Sequence, residues 1–159
     1  CAGRTCRKLL LIGNLQMQNR ILIAEEQQEC CQLFKEFLQR YGYEVTAVHA
    51  GVDCIEALNS GAAYNVLILS WELPGEEGEG ILECLEDHGI GPVAVVILTA
   101  RVDRIRLRKE SEFPSVTWVQ RPFKLCDLLE AVVSAKPVPR FLTAVGNAGR
   151  LSEKNPTGS

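Results

Sequence analysis

Residues 65–75, Asn-Val-Leu-Ile-Leu-Ser-Trp-Glu-Leu-Pro-Gly, limit the fold more than any other part of the chain. The apolar run is long enough for one strand and too short for most helices. A Pro-Gly turn then breaks it. A strand apolar on both faces must be covered on both, which is the situation of a central parallel strand between two layers of helices. In open parallel sheets, sites form just beyond the carboxyl ends of such strands. Ser70, Trp71 and Glu72 stand at that end.

The flanking sequence repeats the theme. Arg20-Ile21-Leu22-Ile23-Ala24 reads as a first strand closed by the acidic pair Glu25-Glu26. Over residues 28–41, Cys31, Phe34, Leu38 and Tyr41 recur at helical spacing with Leu33 and Phe37 beside them, and Gly42 is a stop signal. Residues 43–49 alternate and are rich in β-formers, a second strand. Val52, Ile55, Ala57 and Leu58 predict a second helix over 52–59, residues 65–70 a third strand, and residues 78–88 a third helix with Ile81, Leu82 and Leu85 inward. After Gly89 and Gly91-Pro92, residues 93–98 form another strand apolar throughout, ending at Thr99-Ala100. Residues 102–111 carry a thin helical pattern, Ile105 and Leu107 among Arg104, Arg106, Arg108 and Lys109. Residues 116–120 read as a fifth strand, and 124–135 as a last amphipathic helix through Leu125, Leu128, Leu129, Val132 and Val133. Five strands alternating with helices predict an α/β fold, a five-stranded parallel sheet with helices on both faces. Glu25-Glu26, Ser70, Thr99 and Arg121 should then converge on one rim.

Composition adds exclusions. A chain of 159 residues favours one core. A net charge of -3 gives no global pull toward nucleic acid or anionic membrane, and no apolar run approaches a membrane span. Basic residues before Leu9-Leu10-Leu11-Ile12 faintly resemble a signal peptide, but the run is too short and no cleavage pattern follows. The seven cysteines are odd in number, none is spaced Cys-x-x-Cys, and only His49 and His88 could join them. A zinc site or disulfide scaffold is therefore not expected, and the plain reading is reduced thiols in a cytoplasmic protein.

In register, these features resemble the response-regulator receiver domain, the flavodoxin-like module of two-component signalling, over about residues 19–136. The resemblance rests on the acids after strand one, Leu73-Pro74-Gly75 after strand three and Thr99-Ala100 after strand four. It rests also on Trp118 in strand five and on a basic residue before Pro122-Phe123. It implies a (βα)5 fold with strand order 2-1-3-4-5. The chain then divides into an extension over 1–19, where the single Met, Met17, is a candidate start, a receiver-like domain over 20–136, and a Pro-, Gly-, Asn- and Ser-rich stretch over 137–159 read as a disordered tail or truncated linker. In such domains an Asp ending strand three becomes an acyl phosphate. Two acids after strand one hold Mg²⁺, a Thr or Ser after strand four bonds the phosphoryl group, and a Lys before Pro-Phe pairs with its charge. Here Ser70 stands at the acceptor position and Arg121 at that of the Lys. A hydroxyl cannot ligate Mg²⁺ as a carboxylate does, and Arg is bulkier than Lys, planar and permanently charged.

The resemblance thus implies the fold and argues against the usual activity, as in a degenerate or pseudo-receiver. Glu25, Glu26, Ser70, Thr99 and Arg121 form its degenerate phosphorylation pocket. Glu25 and Glu26 are weak candidates for residual Mg²⁺ binding; otherwise they are a solvated or Arg-paired rim, with Arg121 reaching one of them. Ser70 is a nucleophile or kinase target, or a small polar filler without a nucleophile elbow around it. Trp118 is a candidate switch aromatic or a packed strand residue. The arginines of 101–109 are a solvated face, a phosphate-binding patch or a partner surface, with Arg104, Arg108 and Trp118 the candidates for the last. The expected function is recognition in a phosphorelay, without catalysis or cofactor and with Mg²⁺ binding lost. The expected partner is a histidine kinase or another receiver, with a homodimer through the face of residues 102–111, strand five and the last helix as a variant. Neither membrane nor nucleic acid is an expected partner. The alternatives are a receiver phosphorylated on a non-standard residue such as Glu72, or a flavodoxin-like cofactor-binding protein. Against the latter, Glu25-Glu26 would repel a phosphate where a phosphate loop should be.

Overall fold

The computed structural model describes residues 20–74, 78–87, 93–101 and 116–135. These form β1 (Arg20–Ala24), α1 (Gln28–Gln39), β2 (Glu44–Val48), α2 (Gly51–Asn59), β3 (Val66–Ser70), α3 (Gly78–Asp87), β4 (Ala94–Thr99), β5 (Thr117–Gln120) and α4 (Leu125–Ser134). The five strands make one sheet in the order β2-β1-β3-β4-β5, and every neighbouring pair is parallel. This is the doubly covered α/β sheet expected from the alternation of elements.

The central strands are buried from end to end, β3 and β4 throughout and β1 after Arg20. Alternate residues feed opposite layers, because successive strand side chains point to opposite faces. Ile21, Ile23, Ile68, Val96 and Leu98 pack with Phe34 and Leu38 of α1 and Leu128, Leu129 and Val132 of α4. Leu22, Leu67, Leu69, Val95 and Ile97 pack with Cys54 and Leu58 of α2 and Ile81 and Leu82 of α3. One sheet therefore carries two cores, which is why its strands read as unbroken apolar runs.

Several boundaries move inward by a residue or two, as helix and strand ends do. Gly42, at φ +89°, closes the turn after α1, and Gly61, at φ +86°, the turn after α2; both lie in the left-handed region that favours glycine. Leu33 and Val52, counted in the apolar sets of their helices, are instead 50% and 55% exposed. Each lies off the stripe that its helix buries. Cys30, Cys31, Cys54 and Cys84 are free thiols, whereas Cys126 is disulfide-bonded, which departs from the expectation of reduced thiols throughout. The helix expected over 102–111, with Arg104 and Arg108, lies outside the described residues, as do the expected extension and tail. Among the described residues no helix is long and apolar enough to cross a membrane.

Candidate functional site

The carboxyl ends of β1, β3, β4 and β5 meet on one rim. Glu25 continues β1 by one residue, since its N–H donates to the Val48 carbonyl at 3.1 Å. That register turns the side chain into the sheet, and Glu25 is fully buried. Two contacts hold its carboxylate and a third its backbone carbonyl. The Gln27 N–H donates to Oε1 at 3.2 Å, the Arg121 guanidinium donates through Nη2 to Oε2, and the backbone carbonyl meets His49 Nδ1 at 3.0 Å. Burial holds the Glu25 carboxyl above the usual range, while the hydrogen bond and charge of Arg121 pull in the opposite direction.

Arg121 is anchored at the far side of the sheet, where its N–H donates to the Thr99 carbonyl at 2.9 Å. From there the guanidinium crosses the ends of β4 and β3 to reach Glu25. On the way Nη2 passes Ser70 Oγ at 3.4 Å, a long contact. Ser70 is fully buried, and so is Thr99. The Thr99 hydroxyl donates to Glu72 Oε1 at 2.8 Å and accepts the Arg101 N–H at 3.1 Å, so its proton is committed to Glu72. The structure thus brings Glu25, Ser70, Thr99 and Arg121 together. Glu26 lies beside them, half-buried, with Oε2 sequestered from solvent and lacking a hydrogen-bond partner among the described residues.

Such a rim is where a receiver would hold Mg²⁺, and the donors can be tested for it. Mg²⁺ demands oxygen ligands in tight octahedral geometry. Here one Glu25 oxygen is taken by a guanidinium and the neighbouring strand offers a hydroxyl. Among the described residues no three His, Cys, Asp or Glu side chains converge as a metal ion would require. The orphaned Glu26 oxygen does not by itself make a ligand set. The residues as arranged do not fit the ion.

Trp118, in β5, turns its ring toward the layer that holds α2 and α3, where it meets Trp71. The contacts of Thr99 with Glu72, His49 with the Glu25 carbonyl and Trp71 with Trp118 were not anticipated from sequence. The only signal for the first was a carboxylate two residues past Ser70, and for the last a second tryptophan at a strand end. A shallow open cleft of about 430 Å³ lies between β5 and α4, with Val119, Pro122, Phe123, Asp127 and Glu130 among its lining residues.

Comparison with known proteins gives a consistent result. A family model described as the response regulator receiver domain matches residues 21–133. The chain is 28% identical over 115 residues to the transcriptional regulatory protein CrdR of Helicobacter pylori, covering 72% of this chain and 53% of that protein. It is 28% identical over 138 residues to the transcriptional regulatory protein PdtaR of Mycobacterium tuberculosis, covering 85% and 65%. The chain spans about half the length of the first of these relatives. Among solved structures, the receiver domain of the sensor histidine kinase PA1611 of Pseudomonas aeruginosa is similar with TM-score 0.64 at 20% identity, covering 74% of this chain and 97% of that one. That structure has a magnesium ion coordinated in its active-site cleft.

Proposed function

The chain belongs to the response regulator receiver domain family, and from that membership we propose a receiver module of two-component signalling whose state is set by binding a partner, without an acyl phosphate. The observation that carries this reading is the Arg121 guanidinium seated on the buried carboxylate of Glu25. A charge-assisted bond of this kind is strong and oriented. It neutralises the pocket from within, occupying the carboxylate that a metal would need. Ser70, at the position where the family places its phospho-acceptor, offers a hydroxyl, and a phosphoserine would be a stable ester with no transferable phosphoryl group. A module without that chemistry still responds to partners by population shift.

The partner class that suits such a module is a histidine kinase or a second receiver. The surface we assign to it combines β5, α4 and residues 102–111, with Trp118, Arg104 and Arg108 as its candidate contacts and self-association through the same face as one variant. Calorimetric titration with Mg²⁺ tests the carrying observation. The reading predicts no saturable heat below millimolar Mg²⁺; saturable micromolar binding overturns it.

A second reading has one observation in its favour. Glu72 is a carboxylate at the same rim, hydrogen-bonded to the buried Thr99 hydroxyl. A receiver that phosphorylates Glu72 would use that pairing. Intact-mass measurement after exposure to a small phosphodonor separates the two.

A further inference from the structure

Cys126 is disulfide-bonded, whereas Cys30, Cys31, Cys54 and Cys84 form no disulfide. Of the seven cysteines in the sequence, Cys1 and Cys6 are left as its partners within the chain. Both precede β1. Where the other thiols of a chain stay reduced, a single disulfide is typically redox-sensing. Its place in the fold limits where the N-terminal stretch can run. Cys126 is the second residue of α4, which starts at the carboxyl rim of the sheet after β5. Arg20 opens β1 at the opposite edge. A chain tethered at Cys126 must therefore travel the length of the layer of α1 and α4 to reach Arg20. α4 has ten residues and is about 15 Å long. Residues 7–19 exceed that span even when wound as a helix.

That layer presents an apolar flank. Leu33 of α1 is 50% exposed. Cys30 and Phe37 lie three residues before and four after it, the spacing of one helix face. Both are partly buried against the core that α1 shares with α4, as are Leu125 and Val133 of α4. Phe34 and Phe123 join the starts of the two helices, with ring centroids 5.6 Å apart. Right-handed crossovers set α1 and α4 side by side. Helix phase then turns Cys30, Leu33 and Phe37 toward α4, and Cys126 and Val133 toward α1. The N-terminal stretch is complementary in composition. Leu9-Leu10-Leu11-Ile12 lies between either cysteine and Arg20, and Arg7-Lys8 follows Cys6. On α4 the exposed Asp127 adjoins Cys126, and the exposed Glu130 is one turn further on the same face.

We propose that a disulfide from Cys126 to Cys1 or Cys6 lays the N-terminal stretch along the groove between α1 and α4, with residues 9–12 covering Leu33. The half-buried Cys126 is open to a small dithiol, which undoes the bond by exchange. The S–S bond breaks, Cys126 and its partner become thiols with the two hydrogens of the dithiol, and the dithiol closes into its own disulfide. The stretch is then released and the flank uncovered. This goes beyond the reading of a binding-set module and does not depend on it, since neither Mg²⁺ nor the rim at Ser70 takes part.

The test oxidises the purified full chain with glutathione disulfide, which accepts the electrons and leaves as two glutathione thiols. Non-reducing peptide mapping should find Cys126 joined to Cys1 or Cys6 of the same chain. Hydrogen exchange read by mass should find residues 9–12 at least about tenfold slower than after dithiothreitol, the effect of burying a large aliphatic side chain. C126S should exchange like the reduced chain under both conditions. L33E should keep the cross-link and lose the slowing. Cys126 alkylated as a thiol after oxidation, or joined to a second chain, overturns the proposal. So does a cross-linked chain whose residues 9–12 exchange as fast as in C126S, or a slowing that L33E leaves intact. If L33E loses its fold, the oxidised and reduced parent chains decide alone.

Discussion

Arg121 holds the site together because a guanidinium has both reach and a fixed planar fork. Removing it strands Glu25, which is fully buried, while Arg121 itself retains some exposure, with 23% of its side chain open to solvent. Arg121→Ala should therefore cost about 3 kcal/mol at neutral pH, the low end for a broken buried pair, as measured by urea denaturation. The cost should shrink in acid. Burial raises the Glu25 carboxyl above 4.5 in the folded chain, so the native state there binds more protons than the unfolded one. Its favourable contribution is fully present below that value and is lost as pH rises through the folded pKa. Without Arg121 the carboxyl rises further, and the gap between variant and parent should widen from pH 4.5 toward neutrality. Arg121→Lys should recover part of the loss, keeping the charge without the fork. The reach of Arg121 toward the acids after β1 was legible in the sequence, because residue type and strand order together place a long cation opposite them. Which acid it would choose was not. Glu25 is selected by the hydrogen bond that carries β1 one residue further, a matter of register that no spacing in the sequence records.

At the scale of elements, the two-sided burial of β3 makes its own prediction. Ile68, fully buried, lies in the same core as Phe34 and Leu128, whereas Thr46 on β2 faces solvent. Ile68→Ala should destabilise the fold by about 2–5 kcal/mol through lost burial and a cavity. Thr46→Ala should change stability by less than about 0.5 kcal/mol, the range of exposed sites. Thermal or urea unfolding of the two variants checks the contrast. Strand number, strand identity and sheet order followed from apolar runs that alternate with helical periodicity. Helix phase followed less well: Leu33 and Val52 looked like core residues because they are large and apolar, yet both lie off the buried stripe. Hydrophobicity counts residues, whereas burial depends on the angle at which a helix meets the sheet. The contact of Trp71 with Trp118 was hidden for a similar reason. It depends on Gly78 leaving space, and a glycine at a helix start reads only as a weak helix former.

Across the molecule, the free cysteines among the described residues stand in two environments. Cys31 and Cys54 lie in the two cores, and burial pushes their thiols up to about 11 and about 12. Iodoacetamide at pH 8 should therefore modify the half-buried Cys30 and Cys84 well before Cys31 and Cys54, as peptide mass mapping would read. Above the ordinary thiol value of 9.0 the folded chain keeps protons that the unfolded chain releases. Stability should then fall steadily as pH rises from 9 toward 11, without an abrupt loss at neutral pH. The larger question is whether a receiver fold with its carboxylate already paired to Arg121 can still accept a phosphoryl group. Incubating the protein with acetyl phosphate and Mg²⁺, then recording its intact mass before and after hydroxylamine, answers that directly. The proposed function predicts an unmodified mass in both spectra; a phosphate adduct that hydroxylamine removes would contradict it, and its location on Glu72 would establish the second reading.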